Sequence, residues 1–134
     1  MTQEYYRILV VDDDADLRSI LKTGLERIGN FQVEAYPNGQ EALQAFVSHP
    51  IGYYDCILSN LQMPVMNGFQ LYREIKQRNP EQLIVFLTAA DIDEEELRET
   101  IETAEVIIFF KKPIRIPDLA KRIRAVIQGS KAAS

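Results

Sequence analysis

Five times along the chain a short apolar stretch gives way to a stretch whose apolar residues recur at helical spacing, and this alternation restricts the fold more than any other feature. Arg7-Ile8-Leu9-Val10-Val11 is continuously apolar after its first residue and rich in β-branched side chains, the form of a strand buried on both faces. Leu17, Ile20, Leu21, Leu25 and Ile28 follow at helical spacing, and Gly29-Asn30 supplies a stop. Phe31, Val33 and Ala35 alternate with Gln32 and Glu34, which suits a half-buried edge strand closed by Pro37-Asn38-Gly39. Ala42, Leu43, Phe46 and Val47 form the next helix face, Cys56-Ile57-Leu58 the third strand, and Gly68, Leu71, Tyr72 and Ile75 the third helix. Leu83 to Leu87 predicts a fourth strand, Leu97, Ile101 and Ala104 a fourth helix, Val106 to Phe110 a fifth strand, and Ile116, Leu119, Ala120, Ile123 and Ile127 a last helix. Units of this length call for an α/β fold, a doubly wound five-stranded parallel sheet with helices on both faces, because right-handed crossovers place the helices there. Residues 1–128 are expected to form one domain, with 129–134 a tail or truncated linker.

The 134 residues, 46% of them hydrophobic, suffice for one ordinary core. A net charge of −5 gives no general affinity for nucleic-acid backbones or anionic lipid. No apolar run approaches a membrane span, and "MTQEYYRILVVDDD" lacks the basic-then-apolar form of a secretory signal, so a cytoplasmic location is expected. The single cysteine, Cys56, excludes an internal disulfide and any multi-thiolate metal site, and reads as a small buried hydrophobe.

In doubly wound sheets the working site lies outside the carboxyl ends of the strands. Asp12, Asp13 and Asp14 follow the first strand, Asn60 the third, Thr88 the fourth, and Lys111, Lys112 and Pro113 the fifth. Neighbouring carboxylates in one pocket need a compensating cation or lysine. Mg²⁺ fits, because it takes oxygen ligands and is held by one or two carboxylates. Lysine adds a point charge for a phosphoryl oxygen, and threonine a neutral donor. The inventory is that of a phosphoryl site. One aspartate of the run, Asp14 or Asp16, is expected to start the following helix.

With those residues in place, the chain from about Arg7 to Ile127 resembles a response regulator receiver domain of two-component signalling. "ILVVDDD" is similar to the family's first strand and acidic pair, at Asp12 and Asp13. "NLQMPVMNG" resembles the loop that carries the phosphoacceptor aspartate four residues before a proline, which places that role at residue 60. "IVFLTAA" and "FFKKPI" put the family's hydroxyl residue at Thr88, its lysine at Lys112 and its switch aromatic at Phe109. The resemblance implies a flavodoxin-like sheet of order 2-1-3-4-5 and Mg²⁺ held by Asp12, Asp13, residue 60 and the Gln62 carbonyl. It also implies a sensor histidine kinase or phosphotransfer protein as donor, and an output partner on the face of the fourth helix, fifth strand and last helix. Such a domain is a switch or docking module, not a turnover enzyme.

At the central position the chain departs from that pattern. An aspartate carboxylate can form an acyl phosphate, whereas the nitrogen lone pair of the Asn60 amide is delocalised and makes no useful acceptor. Asn60 also removes a negative charge, so Mg²⁺ binding is expected to weaken, with the amide oxygen still able to serve as a ligand. Ser59 is no substitute, since neighbouring side chains on a strand point to opposite faces. A natural pseudo-receiver and an aspartate-to-asparagine variant both fit these residues. A second departure, Glu105-Val106-Ile107-Ile108 where the family commonly has Gly-Ala and polar residues, adds apolar surface that would pack the sheet or support a homodimer. Lys121, Arg122 and Arg124 are expected on the exposed side of the last helix. The alternative from another class is a haloacid dehalogenase-like phosphatase using Asp12 and Asp14 as an aspartate-x-aspartate pair. It lacks the acidic ligands that family needs after its lysine strand.

Overall fold

The computed structural model describes residues 5–88 and 108–133. Its elements are β1 (Tyr6–Val11), α1 (Ala15–Ile28), β2 (Phe31–Tyr36), α2 (Gly39–Val47), β3 (Cys56–Asn60), α3 (Gly68–Arg78), β4 (Ile84–Thr88), β5 (Ile108–Lys111) and α4 (Ile116–Ala133). The strands form a parallel sheet in the order β2-β1-β3-β4-β5, so the half-buried second strand lies at an edge as its alternation requires. The helix expected around residues 97–104 and the start of the fifth strand at 106–107 lie outside the described residues.

Strand parity divides the core into two layers. Ile8, Val10, Leu58, Val85 and Leu87 face α1 and α4, where Leu21, Leu25, Leu119, Ile123 and Ile127 meet them. Leu9, Val11, Ile57, Ile84 and Phe86 face α2 and α3, against Ala42, Phe46, Leu71, Tyr72 and Ile75. Since β1, β3 and β4 are buried on both faces, the register leaves only their carboxyl ends for polar side chains. The chemistry therefore collects along one rim.

Three details differ from the periodic reading. Ile20, expected on the buried face of α1, is 56% exposed, because Leu21 and Leu25 carry the contact and α4 approaches at Gly24. A Cβ on Gly24 would lie 3.0 Å from Ile116, so the axis of approach runs past the glycine and leaves Ile20 to one side. The last helix also continues to Ala133, beyond residue 128. There Lys131 bridges to Asp55 at 3.5 Å and lies over the Tyr6 ring, contacts that sequence periodicity does not contain. Arg124 is not simply on the exposed side, for its guanidinium donates to the Gly29 carbonyl at 3.0 Å and covers the Phe31 ring. No helix among the described residues is long and apolar enough to cross a membrane.

Candidate functional site

Asp12 leaves β1 with its side chain on the α1/α4 side and is only 2% exposed, whereas Asp13 is open to solvent. Burial of a carboxylate requires partners. Asp12 has them: its Oδ1 accepts from the Asp14 backbone N–H at 3.0 Å, and its Oδ2 pairs with Lys112 Nζ at 3.3 Å. Arg18, which sequence reasoning passed over, donates from the first turns of α1 to the Asp12 carbonyl at 2.7 Å. Its only trace in the sequence is a basic residue placed to return toward the loop it follows.

Asp14 does not join the pocket. It is the N-cap of α1, its carboxylate accepting from the backbone N–H groups of Asp16 and Leu17. The aspartate-x-aspartate pair that a dehalogenase-like phosphatase would need is therefore not formed, since the second carboxylate is occupied as a cap.

Asn60 ends β3 half-buried, held from below by helix α3. Gly68 N–H donates to the Leu61 carbonyl at 2.8 Å, and a Cβ at Gly68 would fall 2.5 Å from the Asn60 carbonyl oxygen. Only glycine allows α3 to start so close to that backbone. Asn67 before it closes a capping box with Gln70. Both ends of the Asn60 side chain are engaged. Its Nδ2 donates to Asp13 Oδ1 at 3.2 Å and to the Gln62 carbonyl at 3.0 Å, and its Oδ1 accepts from Lys112 Nζ at 3.5 Å. Ser59 points away, buried, with its hydroxyl on the Asn60 carbonyl at 2.9 Å.

Thr88 ends β4 and is 1% exposed, and its hydroxyl finds no hydrogen-bond partner among the described residues. It pairs in register with Lys111, and Lys112 N–H donates to its carbonyl at 2.7 Å. Phe109, one strand over, stacks on Phe86 with ring centroids 5.7 Å apart and is only partly buried. The structure thus brings Asp12, Asp13, Asn60, the Gln62 carbonyl and Lys112 into one hydrogen-bonded group, with Thr88 at the end of the adjacent strand. A cis peptide joins Lys112 to Pro113.

A flavodoxin-like parallel sheet thus carries acidic residues, an amide and a lysine together at its carboxyl rim, the arrangement of a receiver-type signalling domain. The response regulator receiver domain model matches residues 8–124, and the chain belongs to that family. Among curated proteins it is 33% identical over 125 residues to the transcriptional regulatory protein RprY of Bacteroides fragilis, covering 93% of this chain and 50% of that protein. It is 30% identical to the response regulator ArlR of Staphylococcus aureus, covering 91% of this chain and 52% of the relative. The chain spans about half the length of the curated relatives it matches. Among solved structures, a receiver domain protein from Clostridium thermocellum superposes with a TM-score of 0.81 at 25% identity, covering 96% of this chain and 99% of that one. The chemotaxis protein CheY4 of Vibrio cholerae does so at 0.78 and 25%, covering 91% and 98%.

Receiver domains generally bind Mg²⁺, an ion that takes oxygen ligands and is held by one or two carboxylates. Among the described residues no group of three His, Cys, Asp or Glu side chains is gathered as for a metal. The amide that joins Asp13 to Gln62 presents its N–H₂ end to them, whereas Mg²⁺ requires oxygen from every ligand. Turning the amide over would set a carbonyl oxygen against two acceptors and an NH₂ against the Lys112 ammonium. As arranged, these residues do not fit the ion.

Proposed function

We propose that this chain is a receiver domain of a two-component phosphorelay whose residue 60 stands in the phosphoacceptor place without accepting a phosphoryl group. It acts as a switch or docking module. The observation that carries this reading is the position of Asn60, at the end of β3, four residues before Pro64 and within 3.5 Å of Lys112. An amide there has the address of a nucleophile and not its electrons. Ser59 offers no replacement, because its hydroxyl is buried on the opposite side of the strand.

In this reading Thr88 and Lys112 are the groups that would face a transferred phosphoryl oxygen, and Phe109 the aromatic that would respond. Asp12, Asp13 and the Gln62 carbonyl stand where the family's metal ligands stand, with Asp13 and Gln62 engaged by the Asn60 amide. A sensor histidine kinase or phosphotransfer protein is the upstream partner, and an output partner meets the surface that includes β5 and α4. The charge of −5 argues against direct nucleic-acid binding by these residues.

Acetyl phosphate with Mg²⁺ should leave the intact mass of the chain unchanged, whereas Asn60→Asp should gain a single phosphoryl group. Stoichiometric labelling of the unaltered chain would overturn the reading.

A further inference from the structure

We propose that the Asn60 NH₂ group is an internal stand-in for the divalent cation, closing the acidic pocket without metal. The inference rests on the reading of residue 60 given above and extends it to how the pocket is held.

An asparagine side chain offers two N–H donors and one carbonyl acceptor. Here the donors go to a carboxylate oxygen of Asp13 and the carbonyl of Gln62, and the acceptor meets the Lys112 ammonium. Lys112 then continues to Asp12, so a single hydrogen-bonded path links the ends of β1, β3 and β5. The charges agree with this closure. Asp12 and Asp13 against Lys112 leave one net negative charge, which the partial positive charge of the NH₂ offsets locally. An aspartate at residue 60 would make it two, the charge that a Mg²⁺ ion carries. A cation entering the unaltered pocket must first break two hydrogen bonds to anionic or carbonyl oxygen and turn the amide toward an ammonium. That cost falls on binding.

Truncation of the amide separates this idea from one in which its oxygen is a metal ligand, because the two predict opposite signs. Asn60→Ala deletes the oxygen and the NH₂ together. If the oxygen were a ligand, Mg²⁺ would bind the alanine variant more weakly. If the NH₂ is a stand-in, Asp13 and the Gln62 carbonyl are released, and Mg²⁺ should bind Asn60→Ala about tenfold more tightly than the unaltered chain. Calorimetric titration of the full chain with MgCl₂ reads this directly. Equal affinities, including none detectable in either protein, or weaker binding by the variant, overturn the proposal.

A second measurement does not depend on the alanine variant folding. The melting temperature of the unaltered chain should be the same in Mg²⁺ and in EDTA, whereas that of Asn60→Asp should rise with Mg²⁺; a matching rise in the unaltered chain also overturns the proposal. The two readings fail separately. Labelling by acetyl phosphate sinks the function proposed above, while Mg²⁺ binding by the unaltered chain at least as tight as by Asn60→Ala, without labelling, sinks only this one.

Discussion

At the scale of single residues, the rim of the sheet separates groups that carry chemistry from neighbours that are silent. Cys56 starts β3 completely buried, and burial, with the Asp55 charge adding to it, pushes its thiol up to about 12. The thiolate is the reactive form, so the native protein should not react with a thiol-specific disulfide reagent near pH 8, and one thiol should appear on denaturation. Rapid native labelling would contradict the burial. Ser59 shows the same separation by direction alone: adjacent to Asn60, it is turned into the α2/α3 layer by the strand's two-residue period. Asn60, Asp13 and Lys112 came together through three separate strand ends, so the sequence marks each by its place after a strand while their mutual hydrogen bonds belong to the fold.

Among elements, the junction of β3 with α3 is the tightest. The first residue of α3 must pass under the Asn60 carbonyl, and Gly68→Ala would bring a methyl to 2.5 Å from that oxygen and 3.0 Å from Leu61 Cα. Both are backbone atoms that cannot swing aside. The substitution should cost about 1–3 kcal/mol in urea denaturation. Gly129 is the control, since a Cβ there meets nothing within 4 Å and the residue lies within α4. Gly129→Ala should stabilise by about 0.5–1 kcal/mol through lower backbone entropy in the unfolded chain. If both changes were neutral, the close approach of α3 to the site would be wrong.

For the whole molecule, the two-layer core sets how stability responds to alkali. Cys56 has an ordinary value of 9.0 and is raised to about 12, and Tyr54, ordinarily at 10.0, is raised by burial and by the charge and hydrogen bond of Glu34. Folding favours the protonated form of each, so the stability tied to these groups is complete below about pH 9 and is lost as pH rises from there toward about 12. The denaturation midpoint should therefore fall between about pH 9 and about pH 11. A midpoint that stayed level over that range would count against a sealed core. The alternation of apolar strands and amphipathic stretches, and the choice of polar residues that end the strands, were determined by the sequence alone, because periodic burial is a local property of each segment. So were the edge position of β2, the placing of Asp12, Asp13, Asn60, Thr88 and Lys112 after strands, and the capping role given to Asp14 or Asp16, which Asp14 fills, whereas Gln62 and Phe109 were named only by the family resemblance. Only the tertiary structure decided that Arg18 holds the Asp12 carbonyl, that Ile20 is left in solvent, that the last helix runs to Ala133, and that the Asn60 amide turns its nitrogen toward Asp13. Those outcomes depend on partners far away in the chain, and an amide chooses its direction from whichever donors and acceptors the converging strands bring to it.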